Sequence, residues 1–147
     1  MRIHPSLFAA VFTCALAALV SCSDDGVVDH ANGLSDRLSG SWTCVKLWES
    51  GREVSDKIKL RFQGETVTGT VCGSTVTGNY RVVSGSYPAA IDLVFTEDGK
   101  ERRIPAIVEI KGRTLRMCHP EGEGGTRPLR FEPIINTVLA VFIKDAR

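Results

Sequence analysis

Cysteine and histidine are among the residues of this chain whose side chains could act as nucleophiles or metal ligands. Five cysteines and three histidines are spread over 147 residues, and none of them forms a pair such as HExxH or CxxC. The sequence also lacks a G-x-S-x-G motif, which would present a catalytic serine on a sharp turn. It therefore predicts no catalytic site, no metal site and no cofactor, and it favours a non-enzymatic protein.

His119 has the most suggestive neighbours of the three histidines. Glu121 and Glu123 follow it in the glycine-rich stretch EGEGG, residues 121–125, and together they could attract a divalent cation. The two carboxylates make the same stretch a poor cradle for phosphate. The favoured interpretation is a polar residue at a strand end, followed by a solvated loop. His30 lies in a polar region and is expected to be solvated.

The first 21 residues have the pattern of an export signal. Arg2 supplies a positive start, and residues 7–20 (LFAAVFTCALAALV) form an apolar run of 14 residues. That run is short for a membrane span, which needs about 20 residues. It ends in LVSC, residues 19–22, which resembles the bacterial lipobox. An ordinary secreted protein and an uncleaved N-terminal anchor are the alternatives.

The lipobox resemblance implies cleavage before Cys22 and a diacylglycerol on its sulfur. The protein would then be held in the cell envelope by a lipid, on the periplasmic or outer side of a membrane. Residues 22–39 are polar and are expected to form a flexible tether, with one helical turn near residues 34–38. Residues 40–147 would form the folded domain.

Three cysteines, Cys44, Cys72 and Cys118, fall in the predicted domain, which would lie in an oxidising compartment. One disulfide with one free thiol, or three buried thiols, are both compatible with this odd number. In an idealised meander Cys44 and Cys118 fall at a similar height, which favours a bridge between them. The predicted faces of the sheet argue against this bridge, because Cys44 shares a face with Trp42 whereas Cys118 lies on the face opposite to Met117.

Charge and composition restrict the class of partner. The chain has 18 Lys+Arg against 17 Asp+Glu, and removing residues 1–21 removes Arg2 and leaves a neutral remainder. Hydrophobic residues make up 43% of the chain, which is ordinary for a globular protein. A neutral domain has no electrostatic footprint for nucleic acid, so no nucleic-acid partner is expected.

After residue 40 the pattern is that of β-strands. In residues 57–62 (KIKLRF) apolar and basic residues alternate with a period of two, so Ile58, Leu60 and Phe62 face a core. Turn signals recur at short intervals, and Pro105 favours an edge or a bulge. The predicted strands are residues 42–48, 57–62, 66–72, 75–83, 91–95, a strand ending at 110, 114–119 and 137–144, with a short extended piece at 129–131; Gly73-Ser74 is the predicted turn between the third and fourth.

These strands and turns predict an all-β fold, an antiparallel meander of eight or nine strands that closes into a barrel. Closure would protect the edges that a flat sheet would expose. The longest predicted loops are residues 84–89 and 120–128. The basic side chains of Arg102, Arg103, Arg113 and Arg116 are expected to face solvent.

Short motifs recur along the domain: LSGSW (38–42), Gly51 in a hairpin, the strand 58–62, GNY (78–80), AIDL (90–93), DGK (98–100), EIKGRTLRMC (109–118) and RPLRF (127–131). In order and spacing they resemble a small uncharacterised β-rich domain family that is expanded in planctomycete bacteria. That family has no established activity, so the resemblance implies a fold more than a function.

The tripeptide Gly40-Ser41-Trp42 also resembles the start of the first strand in lipocalin-like barrels. That resemblance implies that Trp42 plugs the closed end of the barrel. It further implies that a basic side chain from the last strand, Lys144 or Arg147, lies across the tryptophan. The same residue is also compatible with an ordinary core aromatic.

Two functions are compatible with these observations. The first is an envelope lipoprotein with a lipocalin-like barrel that binds a small apolar ligand. The second is a periplasmic protein-binding module, such as an inhibitor or an assembly factor, that uses the barrel loops. An apolar cavity of about 300 Å³ or more would favour the first. A filled barrel with exposed apolar residues would favour the second.

Overall fold

The computed structural model describes residues 29–147, with side chains from residue 33. The predicted signal and Cys22 lie outside the described residues. One helix precedes nine strands: α1 (Asp29–Leu38), β1 (Gly40–Glu49), β2 (Arg52–Val54), β3 (Ile58–Gln63), β4 (Thr66–Val71), β5 (Ser74–Val83), β6 (Ala90–Glu97), β7 (Lys100–Lys111), β8 (Thr114–Pro120) and β9 (Thr137–Lys144).

The strands form a closed antiparallel barrel, as predicted. From β3 to β9 each strand pairs with the next, and β1 closes the ring by pairing with both β3 and β9. Eight strands make up the barrel, and β2 is an extra strand beside the upper half of β1. The predicted all-β class is confirmed, and the arrangement is compatible with a lipocalin-like barrel.

Alternation along the strands fills the interior with side chains. The burial pattern of β3 is strictly alternating, with Ile58, Leu60 and Phe62 buried, as predicted. Phe95 packs directly against Gly78, where an added Cβ would lie 2.5 Å from its Cδ1 atom. The largest fully buried side chains are Trp42, Phe62, Phe95, Phe142, Leu38, Leu47, Ile58, Leu60, Ile91, Leu93 and Ile107.

One end of the barrel is covered by α1, and we call it the closed end. Leu34 and Leu38 of the helix join the interior cluster with Trp42. Trp42 Nε1 donates a hydrogen bond to the Leu38 carbonyl at 2.7 Å. Lys144 Nζ lies 5.0 Å from the centroid of the Trp42 ring and donates to the Arg37 carbonyl at 3.2 Å. Of the two predicted basic residues, Lys144 is therefore the one across Trp42.

The helix corrects the prediction of a flexible tether with a single helical turn. Its sequence DHANGLSDRL is polar, and only two leucines four residues apart mark a buried face. Its stability therefore comes from tertiary packing rather than from a local pattern. Among residues 29–147, no helix has the length and apolar character needed to cross a bilayer.

A second apolar cluster lies on the outside of the barrel. Outward-facing side chains of β6 to β9 (Ala90, Ile107, Cys118 and Leu139) are buried beneath Phe131 and neighbouring residues. Phe131 belongs to residues 121–136, which we call the crossing segment. The extended piece predicted at 129–131 is wrong, because the crossing segment contains no strand.

Two further local predictions can be checked. The β4–β5 turn is formed by Cys72 and Gly73, both with positive φ (49° and 89°), one residue earlier than predicted. β8 pairs with β7 only from Ile107 onward, so Pro105 has a strand partner on one side only, at Asp92. That position matches the edge predicted for Pro105.

Candidate functional site

A break in strand pairing opens a cleft in the wall of the barrel. β1 pairs with β3 up to Thr43 and with β2 from Leu47, and its register with β9 shifts between Cys44 and Lys46. The intervening stretch of β1 therefore has no strand partner on one side. The cleft has a volume of about 450 Å³ and is lined by Thr43, Cys44, Val45, Lys46, Leu47, Glu53, Val54, Ser55, Asp56, Lys57, Ile58 and Lys59.

Two carboxyl groups near this cleft lack the partners that buried charges usually have. One oxygen of Asp56 and one of Glu49 are buried and accept no hydrogen bond from the described residues. Burial raises the pKa of Glu49 to about 7, with further contributions from the charges of Asp56 and Glu121. The charge of Asp56 also contributes to the raised pKa of Cys44.

His119 lies at the end of β8, where the sequence predicted a polar residue, and it is buried. Its Nδ1 atom lies 2.8 Å from the carbonyl oxygen of Pro120, and Nε2 has no partner among the described residues. Burial lowers the pKa of His119, so the ring is neutral at pH 7. Glu49 of β1 and His119 of β8 both pair with Val138 of β9, so they lie on either side of that residue.

The acidic neighbours predicted for His119 are engaged elsewhere. Glu123 forms an ion pair with Arg102 at 2.7 Å, and Glu121 accepts a hydrogen bond from the Ser50 hydroxyl. The Arg102 side chain is only 9% exposed, so the expectation that it faces solvent is wrong. Within residues 29–147, no three His, Cys, Asp or Glu side chains converge on a common point that could hold a metal ion.

The crossing segment is fixed to the barrel chiefly by Arg127. This side chain donates to the carbonyl oxygens of Ile91 (2.9 Å) and Ala106 (2.7 Å) and pairs with the Asp92 carboxylate. Asp92 is 4% exposed and also pairs with Arg103. The guanidinium thus bonds β6 and β7 together with the segment that crosses them.

Both ends of the crossing segment are also held. The Glu121 amide donates to the Asn136 carbonyl at 2.9 Å, and the Asn136 amide donates to the Ser50 hydroxyl at 3.0 Å. In the middle, the Arg116 guanidinium lies 4.5 Å from the centroid of the Phe131 ring. The segment is therefore a fixed surface, although it has no regular secondary structure.

This fixed segment carries large apolar side chains that point into solvent. Leu129 is 82% exposed, Ile135 is 75% exposed and Ile134 is 52% exposed. In the loop between β5 and β6, Tyr87 is 99% exposed. Tyr87 lies in the predicted loop 84–89, whereas Leu129, Ile134 and Ile135 lie beyond the predicted loop 120–128.

The predicted Cys44–Cys118 bridge is not formed. Cys44, Cys72 and Cys118 are all free thiols. Cys44 pairs with Phe142 and Cys118 with Leu139, so β9 lies between them and they differ in height by three residues. The idealised meander did not predict this offset in height. The prediction that the two cysteines lie on different faces is confirmed, since Cys118 lies in the outer cluster. Burial raises the pKa of Cys44 and of Cys118 to about 11, which keeps both side chains in the thiol form at neutral pH.

Sequence reasoning missed Arg127, Asp92 and Asp56. Arg127 and Asp92 are 35 residues apart along the chain, and no local pattern links them. Asp56 stands in the three-residue break between β2 and β3, where the alternation is lost. The one available signal was Asp92, a charged residue between apolar neighbours in a predicted strand.

Comparisons with known proteins add no relative. No protein-family model matches the chain, and neither the curated proteins nor the solved structures contain a significant match. The resemblances to the planctomycete domain family and to lipocalin-like barrels therefore stay predictions.

Proposed function

We propose that this protein is a non-enzymatic binding module of the bacterial cell envelope. In this proposal a lipid on Cys22 anchors it to a membrane, and the exposed apolar side chains of the crossing segment bind another envelope protein. The observation that carries the proposal is the exposure of Leu129 (82%) and Ile135 (75%) on a segment that is bonded to the barrel.

The filled interior favours this function over the binding of a small apolar ligand. Aromatic side chains from β1, β3, β6 and β9 (Trp42, Phe62, Phe95 and Phe142) are each at most 1% exposed and occupy the barrel interior. A barrel of eight strands can be filled by its own side chains or can hold one small ligand, and here large side chains occupy the interior. The interior therefore serves as a rigid support for the surface.

A fixed apolar surface suits protein binding for energetic reasons. Ordering a flexible loop on binding costs about 0.5–1.5 kcal/mol for each immobilised side chain. The contacts of Arg127, Glu121 and Asn136 hold the backbone of the crossing segment before any partner arrives. Most of the free energy from burying Leu129 and Ile135 would then be available for binding.

The binding surface can be tested with a photo-crosslinking amino acid in living cells. At position 129 or 135 it should give a discrete adduct, and at Thr77, an exposed position on β5, it should not. Adding Ile135→Ser to the chain labelled at 129 should weaken the adduct at least threefold. Equal adducts at all three positions, or none, would contradict the proposal.

The lipid anchor is tested separately. Cys22→Ser should move the protein from the membrane fraction to the soluble fraction, because acyl chains supply most of the membrane affinity. Cys14→Ser, in the predicted signal, is the matched control and should leave the protein in the membrane fraction. Unchanged fractionation of Cys22→Ser would overturn the anchor and leave the binding surface to be judged by crosslinking.

A further inference from the structure

The cleft beside β1 has the form of a binding site in the barrel wall. It exists because residues 44–46 of β1 lack a strand partner where β2 ends and β3 begins. Backbone polar groups left unpaired by such a break need partners from water or a ligand. With a volume of about 450 Å³, the cleft is large enough for a small molecule.

The lining of the cleft carries charges of both signs. Asp56 and Glu53 supply the carboxylates, and Asp56, which is half-buried, has no ion pair within residues 29–147. Lys57 and Lys59 also line the cleft and are exposed, and within the described residues neither has an ion pair. Lys46 differs, because its ammonium lies 5.9 Å from the centroid of the Trp48 ring.

We propose that this cleft binds a small zwitterion of the amino-acid type. The ammonium group of the ligand pairs with the half-buried Asp56, and its anionic group pairs with the exposed Lys57 and Lys59. The site is independent of the lipid anchor and of the crossing segment.

The distribution of charge excludes simpler ligands. A ligand with only a cationic group would be attracted by Asp56 and Glu53 but repelled by three lysines in the lining. A ligand with only an anionic group would be attracted by the lysines but repelled by the two carboxylates. A zwitterion satisfies both ends, and its zero net charge adds nothing to the charge of the cleft.

Calorimetry and amide chemical shifts at low ionic strength would test this assignment. The probes are 4-aminobutyrate, which carries both charges, and propylammonium and butyrate, which carry one each. We expect 4-aminobutyrate to bind at least tenfold more tightly than either single-charge probe. The largest shifts should fall in residues 44–47 and 54–59, which line the cleft.

Variants separate the two ends of the ligand. Asp56→Asn should weaken 4-aminobutyrate binding at least tenfold, while Lys57→Gln combined with Lys59→Gln should weaken 4-aminobutyrate without weakening propylammonium. Glu53→Gln is the matched control, because this exposed carboxylate also lines the cleft and its loss changes the net charge by the same amount. It should change binding less than twofold.

Three results would overturn the proposal. The first is equal affinity of 4-aminobutyrate for the wild type and Asp56→Asn, provided the far-UV spectrum shows that the variant is folded. The second is binding of butyrate as tight as that of 4-aminobutyrate. The third is a set of shifts centred elsewhere on the barrel.

Discussion

Lys144 contributes to stability through its contact with Trp42. The ammonium is 5.0 Å from the ring centroid and also donates to the Arg37 carbonyl, so it joins β9 to the helix across the closed end. A cation–π contact of this kind contributes about 0.5–2 kcal/mol. We expect Lys144→Gln to lower the free energy of unfolding by about 1–2 kcal/mol, measured by urea denaturation. Lys59→Gln, exposed on β3, should change it by less than about 0.5 kcal/mol, and equal losses would contradict this role.

Glu49 makes stability depend on pH with a definite sign. Its pKa is raised from 4.5 to about 7, so between these values the folded chain keeps a proton that the unfolded chain releases. Its contribution is therefore fully present below pH 4.5 and is lost as the pH rises towards 7. We expect Glu49→Gln to be more stable than the wild type at pH 8 by about 1–2 kcal/mol, allowing for solvent screening at the barrel rim. At pH 4 the two proteins should be equally stable.

His119 acts in the opposite direction and must be separated from Glu49. Burial lowers its pKa, so its contribution is present above its ordinary value of 6.5 and is lost as the pH falls. Because His119 is present in both proteins, the difference between the wild type and Glu49→Gln isolates Glu49. Urea denaturation at pH 4, 6 and 8 measures this difference. A difference that is the same at all three values would show that Glu49 is not the titrating group.

At the scale of elements, Arg127 decides whether the crossing segment stays on the barrel. Its removal would leave the buried Asp92 with the exposed Arg103 as its remaining ionic partner. We expect Arg127→Ala to lower the free energy of unfolding by about 2–4 kcal/mol. Cys118 lies beneath the segment and is fully buried. The variant should therefore alkylate Cys118 at least tenfold faster under native conditions, as measured by mass spectrometry of the labelled peptide.

The same segment supplies a matched control. Arg130 is exposed and pairs loosely with Glu132 at 3.7 Å, so Arg130→Ala should leave the alkylation of Cys118 unchanged. Cys72 is exposed in both variants and serves as an internal standard for reagent activity. If Cys118 is alkylated as slowly in Arg127→Ala as in the wild type, then Phe131 and the two ends of the crossing segment suffice to hold the segment on the barrel, which would contradict this role of Arg127.

Elements formed by interactions that are local in sequence could be predicted, whereas elements that depend on contacts between distant residues could not. Strands such as β3 and β6 are marked by an alternation that is local in sequence, and the turns by glycines whose positive φ is local too. These elements were therefore predictable with errors of one or two residues. β2 was missed because it has only three residues and lies against half of β1.

The helix and the candidate sites could not be predicted in the same way. α1 is helical because Leu34 and Leu38 cover the barrel end, a partner that forms only when β1 meets β9. The cleft exists because β1 pairs first with β3 and then with β2. No residue type in the sequence indicates where a strand changes its partner. The packing of large side chains in the interior likewise depends on contacts between distant strands, so the sequence could not predict it.

For the molecule as a whole, the closed end joins the proposed anchor to the barrel. The α1 helix begins at Asp29, seven residues after Cys22, and seven extended residues span at most about 25 Å. With a lipid on Cys22, the closed end would therefore lie near the membrane. The helix would then be both the link to the anchor and the cover of the barrel.

This double role makes the start of the folded domain testable. A chain that begins at Asp29 should be as stable as one that begins at Ser23. A chain that begins at Gly40, the predicted boundary, loses Leu34 and Leu38 from the core, each worth about 1.5–3 kcal/mol. We expect its free energy of unfolding to fall by about 3–5 kcal/mol in urea denaturation. Equal stability of the Asp29 and Gly40 chains would show that β-barrel closure alone protects Trp42, and that α1 belongs to the tether.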